Sequence, residues 1–196
     1  MFNEHQPAIG AYAASNPDTC VRVLDFVHQT IRDWFGTTGI RMTDIGQKGL
    51  DSVHLNNKVR RTAYEFVRVN KDYLHETIFS DDISVEEKLL VLAGTPGLGL
   101  AKSGFVLQLC IGKVGCLDVH NLRRFNLSEN AFKLNNKVKY DTALNKARMY
   151  TDLIDKLGGT EKLWNDWCKL IADKYPKHYD SASHVSRLHV DFVLNT

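Results

Sequence analysis

Apolar residues recur at intervals of three and four along most of the chain, the spacing that places them on one face of an α-helix. The first such pattern runs over residues 18–35. No segment alternates between apolar and polar residues with hairpin turns beside it, so strands are not favoured. The predicted fold class is all-α. Helices are expected over residues 18–35, 58–79, from 84 to the turn at 95, 102–111, 141–157, from 160 through 171, and 181–194.

Residues with clear positional preferences mark several ends of these segments. Ser84 and Glu87 have the spacing of a capping box, which predicts a helix start. Gly158-Gly159 is predicted to stop one helix, and Thr160 is predicted to cap the next. Residues 1–17 have mixed polarity and two prolines, and we interpret them as a loosely attached arm.

Residues 92–125 contain a turn signal, then an apolar run, then a polar cluster. Pro96 with Gly97 and Gly99 is costly inside a helix, so the pattern predicts a tight turn between two helices. A helix that starts after such a turn presents free backbone N–H groups, which can bind a phosphate. The turn alone is weak evidence of function, because similar turns occur in unrelated proteins.

The polar cluster after the apolar run begins with Asp118 and continues with His120, Asn121, Arg123 and Arg124. Three roles are open for Asp118 from the residues alone. It is a helix cap, an ion-pair partner of Arg123 or Arg124, or a functional carboxylate.

Composition places the chain among ordinary soluble globular proteins. Of its residues, 43% are apolar and 24% are charged. Its length of 196 residues is enough for one domain or two small lobes. The net charge of +2 predicts no polybasic tail, so any anion-binding surface has to come from local clustering.

The cysteine spacing does not match a zinc or iron–sulfur site. Cys20 and Cys110 fall in apolar helical patterns, where a free thiol behaves as a small hydrophobe. No signal peptide is visible, and no apolar run approaches about 18 residues. These features predict a cytoplasmic, reduced protein with no membrane partner. The four cysteines are Cys20, Cys110, Cys116 and Cys168.

Three pieces of residues 92–125 carry a resemblance to a known family. These are the turn Thr95-Pro96-Gly97-Leu98-Gly99, the apolar helix through Leu107, and Leu117-Asp118-Val119-His120. Together they resemble the helix–hairpin–helix and Gly/Pro/Asp (HhH-GPD) signature of the DNA glycosylase superfamily. That superfamily includes endonuclease III, the adenine and 8-oxoguanine glycosylases and the alkyl-base glycosylases. The resemblance extends more loosely back to about Asp18, through Gly49-Leu50 and Asn57-Lys58, and ends at Phe125.

The resemblance implies a single two-lobed helical domain over residues 1–196, with the hairpin and catalytic region at residues 84–125. Backbone amides of Gly97, Leu98 and Gly99, with Lys102 and Ser103, would hold a DNA phosphate. Carbonyls of the same turn would bind a monovalent cation; no other cofactor, no iron–sulfur cluster and no metal site are implied.

Asp118 corresponds to the family's catalytic aspartate. A carboxylate in a cleft can stabilise the positive charge that develops on the sugar, or orient the attacking water. His120 is expected to order the loop, whereas Arg123 and Arg124 suit either a DNA phosphate or an internal ion pair.

One position departs from the family pattern. The lysine that attacks the sugar in bifunctional members would stand at residue 101, but this chain has Ala101 and carries the lysine one place later, at Lys102. A shift of one residue on a helix rotates a side chain by about 100°. Lys102 remains a candidate catalytic residue beside Asp118, but we expect it to contact a phosphate first. We therefore expect the enzyme to be monofunctional, without lyase action.

The function implied is that of a monomeric DNA glycosylase that flips a damaged, mispaired or modified base out of double-stranded DNA and excises it. One alternative is a phage-type transferase of the same superfamily that modifies hydroxymethyl pyrimidines in DNA, acting in the host cytoplasm. Another is a catalytically silent DNA-binding module. Four aromatic residues are candidates for stacking on a flipped base, although core packing is favoured for the last two: Trp34, Tyr64, Trp164 and Trp167.

Overall fold

The computed structural model describes residues 1–18, 58–135 and 137–194, and within these ranges the chain is helical with no strand. The all-α prediction is confirmed for these residues. The predicted helix over residues 18–35, Cys20, Trp34 and the Gly49-Leu50 stretch lie outside them. The helices are α1 Phe2–Ser15, α2 Lys58–Val69, α3 Lys71–Phe79, α4 Val85–Ala93, α5 Leu100–Ile111, α6 Val119–Arg124, α7 Tyr140–Lys156, α8 Gly159–Lys174 and α9 Ala182–Leu194.

Helix α5 lies in the middle of the packing. It contacts α1, α3 and α4, while α8 and α9 pack against each other and against α1. A helix that is apolar nearly all the way round is stable only when other elements cover it. Cys110 is buried here, as its apolar surroundings predict. The buried residues of α5 are Leu100, Ser103, Gly104, Val106, Leu107, Gln108, Leu109 and Cys110.

The interpretation of residues 1–17 as a loose arm is wrong. Residues 2–15 form α1, and Phe2, Ile9 and Ala13 are buried. The ring of Phe2 packs edge-on against Trp164, with 5.7 Å between ring centroids. Pro7 lies inside α1, where its ring removes one backbone hydrogen bond. Burial against the C-terminal helices offsets that cost, and no local sequence signal reports it.

The single helix predicted over residues 58–79 is interrupted at Asn70. Its side-chain amide donates to the carbonyl of Phe66 at 2.8 Å, and its own carbonyl accepts from the N–H of Leu74. The Phe66 carbonyl also accepts the backbone N–H of Asn70 at 3.0 Å, so the side chain is a second donor to a carbonyl that keeps its helical bond. The backbone of Asn70 leaves helical geometry, with φ −105° and ψ 16°, and α2 ends and α3 begins around it. Within α2, Ala63 and Val67 are buried, whereas Phe66 is 37% exposed.

The predicted helix ends have mixed outcomes. The Ser84–Glu87 capping box is present at the start of α4, and α7 stops before Gly158-Gly159, as predicted. The cap at Thr160 is wrong, because α8 is capped by Gly158 and already begins at Gly159. Both glycines have positive φ, 104° and 82°, which a residue with a Cβ atom rarely adopts.

Among the residues that the structure describes, none of the helices has the length and apolar character needed to span a lipid bilayer.

Candidate functional site

The predicted turn between two helices is present between α4 and α5. Pro96 and Gly97 occupy its central positions, Gly97 has φ 78°, and the N–H of Leu98 donates to the carbonyl of Thr95 at 3.0 Å. These are the features of a type II turn, which requires positive φ at its third residue. Gly97 is therefore needed for the backbone conformation itself.

Helix α5 starts directly after this turn, with Gly99 as its N-cap in an extended conformation. The N–H of Ser103 donates to the carbonyl of Gly99 at 3.0 Å and forms the first hydrogen bond of the helix. The N–H groups of the preceding residues have no partner within a helix of this geometry. A Cβ atom added to Gly99 would have no heavy atom within 4 Å, so the approach to this helix end is open.

Two residues of the predicted phosphate site face inward. The side chains of Leu98 and Ser103 are 8% and 0% exposed, respectively. Their backbone N–H groups bond to the carbonyls of Thr95 and Gly99. Both residues hold the hairpin together, and only Gly97 and Gly99 of the predicted turn are exposed.

The monovalent cation implied at the hairpin would have to bind backbone carbonyls of this turn. The Thr95 carbonyl already accepts the Leu98 N–H, and the Thr95 side chain is buried beside Val67 and Leu92 in an apolar cavity. Thr95 thus fits such a site poorly, and no step of the proposed chemistry passes through a cation.

Asp118 is half-buried and caps α6. Its Oδ1 accepts the N–H of Asn121 at 2.9 Å, so the helix-cap role left open by the sequence is realised. The ion pair between Asp118 and one of the two arginines is not formed. Arg123 pairs with Glu129 at 2.6 Å and Arg124 pairs with Asp166 at 2.9 Å, so both arginines make internal ion pairs.

The backbone leading into Asp118 is held by two contacts that the sequence analysis missed. The buried hydroxyl of Tyr150 donates to the carbonyl of Gly115 at 2.8 Å and accepts the N–H of Leu117 at 2.7 Å. A Cβ atom at Gly104 of α5 would lie 2.3 Å from the Gly115 carbonyl oxygen, so only glycine allows this approach. Helices α5 and α7 therefore clamp the segment before Asp118 between them.

Lys102, Cys116 and Asp118 lie in one electrostatic neighbourhood. Burial raises the pKa of the Cys116 thiol well above its usual range, and the Asp118 carboxylate raises it further. The Asp118 backbone N–H and the Lys102 ammonium act in the opposite direction. The charges of Lys102 and Asp118 therefore act on the same thiol, in opposite directions.

A small cavity lies beside this cluster, between α5, α8 and the start of α6. Its volume of about 10 Å³ holds about one water molecule, so a base could enter only after side chains move. Trp164 is 2% exposed and belongs to the core, as favoured from the sequence. Trp167 is half-buried and packs against Phe105 with 5.9 Å between centroids. The cavity is lined by Phe105, Gln108, Cys116, Asn121, Leu163, Trp164 and Trp167.

His120 is exposed on α6, and the side chain of Tyr64 is outside the described part. Of the residues missed, Asn121 could have been found from its position three residues after a capping aspartate. Tyr150 offers no local signal, because it lies 33 residues from Leu117 in sequence.

Comparison with protein-family models, curated proteins and solved structures finds no match to this chain. The family resemblance thus rests on the residues of the turn and of the Asp118 segment.

Proposed function

We propose that the protein is a monofunctional DNA glycosylase of the helix–hairpin–helix superfamily, with the two-lobed helical fold of that family. One observation carries the proposal. The type II turn opens α5, and α5 packs through Gly104 against the backbone that delivers Asp118 to the start of α6. The hairpin that we propose as the phosphate-binding element and the Asp118 carboxylate are therefore held by one continuous packing unit.

The hairpin would bind the DNA backbone. Gly97 and Gly99 are exposed, and the open approach to Gly99 lets a phosphate reach the free N–H groups at the start of α5. Contacts of this kind position the duplex without reading its sequence. Double-stranded DNA is accordingly the proposed partner, bound by a monomer in the cytoplasm.

Asp118 would act on the sugar of the flipped nucleotide. In the reaction the base leaves with the electrons of the N-glycosidic bond, and water adds to the sugar carbon and loses a proton. The cap bond to Asn121 fixes the orientation of the carboxylate through Oδ1. The carboxylate can then stabilise the positive sugar or accept the proton of the attacking water.

Lys102 would neutralise a phosphate near the same centre. It is half-buried in the first turn of α5 and lies close enough to Cys116 to affect the pKa of that thiol. Ala101 occupies the position of the family's lyase lysine, which favours hydrolysis without a Schiff base.

A second candidate, a DNA-binding module without catalytic activity, is favoured by two observations. Asp118 already has a structural role as a helix cap, and the neighbouring cavity has room for about one water molecule only. The base-modifying transferase gains no comparable support from the described residues.

Duplexes that carry uracil, 8-oxoguanine, alkylated bases or hydroxymethyluracil distinguish these functions. The proposed enzyme releases a free base from at least one of them. Asp118→Asn is the matched variant, since asparagine caps a helix about as well as aspartate and should preserve the fold. We expect base release to fall by about 100-fold or more in this variant, with DNA affinity unchanged.

Release by Asp118→Asn at the wild-type rate would exclude the carboxylate from the chemistry. Binding with neither release nor a change in base mass would establish the module. A base that gains mass while its glycosidic bond survives would establish the transferase.

A further inference from the structure

Positive charge is concentrated in a part of the chain that lies almost entirely beyond the end of the family resemblance at Phe125. Seven of the 25 basic residues, but only two of the 23 acidic residues, lie between Arg123 and Arg148. The rest of the chain has 18 basic and 21 acidic residues. The net charge of +2 therefore conceals a basic region on a slightly acidic protein.

Three lysines of this region are exposed between α6 and α7: Lys133, Lys137 and Lys139. We call them the lysine loop. Within the described residues they form no ion pair, unlike Arg123 and Arg124 just before them. Their positive charge is therefore available to a partner.

The position of Lys139 is electrostatically unfavourable within the protein. It is the N-cap residue of α7 and makes no side-chain cap bond. The N-terminal end of a helix is its positive end, where a cation destabilises and an anion stabilises. Asp141 in the first turn acts in the opposite direction. An external anion at this helix end would add to the stabilisation that Asp141 provides.

The described residues around the lysine loop are held by contacts with the rest of the protein. Phe132 and Leu134 are partly buried against the core. The Lys146 ammonium group donates to the carbonyl of Lys133 at 2.7 Å, and a turn joins the N–H of Val138 to the carbonyl of Asn135 at 3.0 Å. Because the backbone is held, binding would order mainly the lysine side chains.

The same segment is attached to the Asp118 region. The ring of Phe132 packs edge-on against Tyr150, with 5.0 Å between centroids. Tyr150 in turn bonds to the backbone N–H of Leu117, next to Asp118. Lys133 directly follows Phe132, so the lysine loop begins beside the segment that carries the carboxylate.

We propose that the lysine loop is a second binding surface for the phosphate backbone of nucleic acid, separate from the hairpin. The proposal rests on the DNA binding of the proposed function but not on its chemistry. Lysines contact phosphates as point charges, so this surface contributes affinity without sequence preference.

The test compares two triple variants that remove the same charge. Lys133→Gln/Lys137→Gln/Lys139→Gln removes the lysine loop, and Lys156→Gln/Lys169→Gln/Lys177→Gln removes three other exposed lysines as a control. Binding to an unmodified duplex and to a single strand is measured across a range of salt concentrations, and base release is measured separately. Each lost phosphate contact lowers the slope of log affinity against log salt by about 0.9 for a duplex and about 0.7 for a single strand.

We expect the lysine-loop variant to lose about 2 to 3 in slope on the duplex and about tenfold or more in affinity at about 0.1 M salt. The control should stay close to wild type. Equal losses in the two variants would overturn the proposal, as would a wild-type protein that binds polyglutamate and no nucleic acid. A larger loss on one of the two nucleic acids identifies the form that the loop contacts.

The two proposals fail in distinguishable ways. Selective loss of DNA binding in the lysine-loop variant, with no base release from any substrate, would retain this surface and reject the glycosylase. Base release by the wild type, together with equal DNA binding by the lysine-loop variant and its control, would retain the glycosylase and reject this surface.

Discussion

The hydroxyl of Tyr150 accepts the backbone N–H of Leu117 at 2.7 Å, across 33 residues of sequence. The same hydroxyl donates to the carbonyl of Gly115 at 2.8 Å. Burial raises the pKa of Tyr150 well above its usual range, so the phenol keeps the proton that it donates. One side chain of α7 thereby binds the Gly115 carbonyl and the Leu117 N–H in the segment that precedes Asp118.

Tyr150→Phe should destabilise the protein and loosen this segment. Two buried backbone groups lose their partner, and each lost partner costs about 1 to 3 kcal/mol in the free energy of unfolding. Urea unfolding gives the stability, and hydrogen exchange of the Leu117 amide reports the local effect. Tyr140→Phe is the control, because that hydroxyl is exposed and bonds only weakly to Glu87 at 3.4 Å. Equal stability of the two variants would contradict the clamp.

The two exposed glycines of the hairpin should respond differently to alanine. Gly97 has φ 78°, so Gly97→Ala strains the turn and costs about 1 to 2 kcal/mol. Gly99 has φ −117° with open space around it, so Gly99→Ala should change stability by less than about 0.5 kcal/mol. If a phosphate binds at the start of α5, the added methyl group of Gly99→Ala should still weaken DNA binding severalfold. Undiminished binding by this variant, measured by fluorescence anisotropy, would place the phosphate elsewhere.

His189 should make stability depend on pH. It is fully buried, and its ring packs against Trp164 and Trp167 at 4.9 Å between centroids. Burial, with a smaller effect of His5, lowers the pKa of His189 from 6.5 to about 3. Between these two values the unfolded chain binds a proton that the native protein does not. The free energy of unfolding therefore falls as the pH falls, by about 1.4 kcal/mol per pH unit from this group.

Urea unfolding of the wild type and of His189→Phe at about pH 7 and about pH 5 isolates this contribution. The variant should lose less stability on acidification, whatever its stability at neutral pH. His178→Phe serves as the control, because His178 is exposed. If acidification lowered the free energy of unfolding equally in the wild type and in His189→Phe, His189 would not be held neutral.

Lys102 should contribute to binding and not to a covalent step. Lys102→Ala should lower the salt slope of DNA binding by about 1, as expected for one lost phosphate contact. Borohydride treatment of wild-type protein on a substrate duplex should trap no covalent adduct. An adduct that disappears in Lys102→Ala, but persists in the control Lys113→Ala, would assign lyase chemistry to Lys102.

Elements governed by neighbouring residues were predictable from the sequence. The capping box of α4 and the turn at Pro96–Gly97 depend on side chains and φ preferences a few residues apart. The docking of α1 was not predictable, because Phe2 is stabilised by Trp164, a residue distant in sequence. The break at Asn70 was not predictable either, because apolar periodicity does not report the departure of a single residue from helical φ and ψ, or the bond from its side chain to Phe66.

The sequence by itself determined the helical class and the turn that opens α5, since periodicity and glycine conformation act over short distances. It left three roles open for Asp118, of which the structure realises the helix cap. Only the tertiary structure decided what surrounds Asp118. Its arginine neighbours turn to Glu129 and Asp166, while Tyr150 and Gly104 hold the segment before it. These contacts join residues far apart in the chain, and their geometry exists only once the helices have packed.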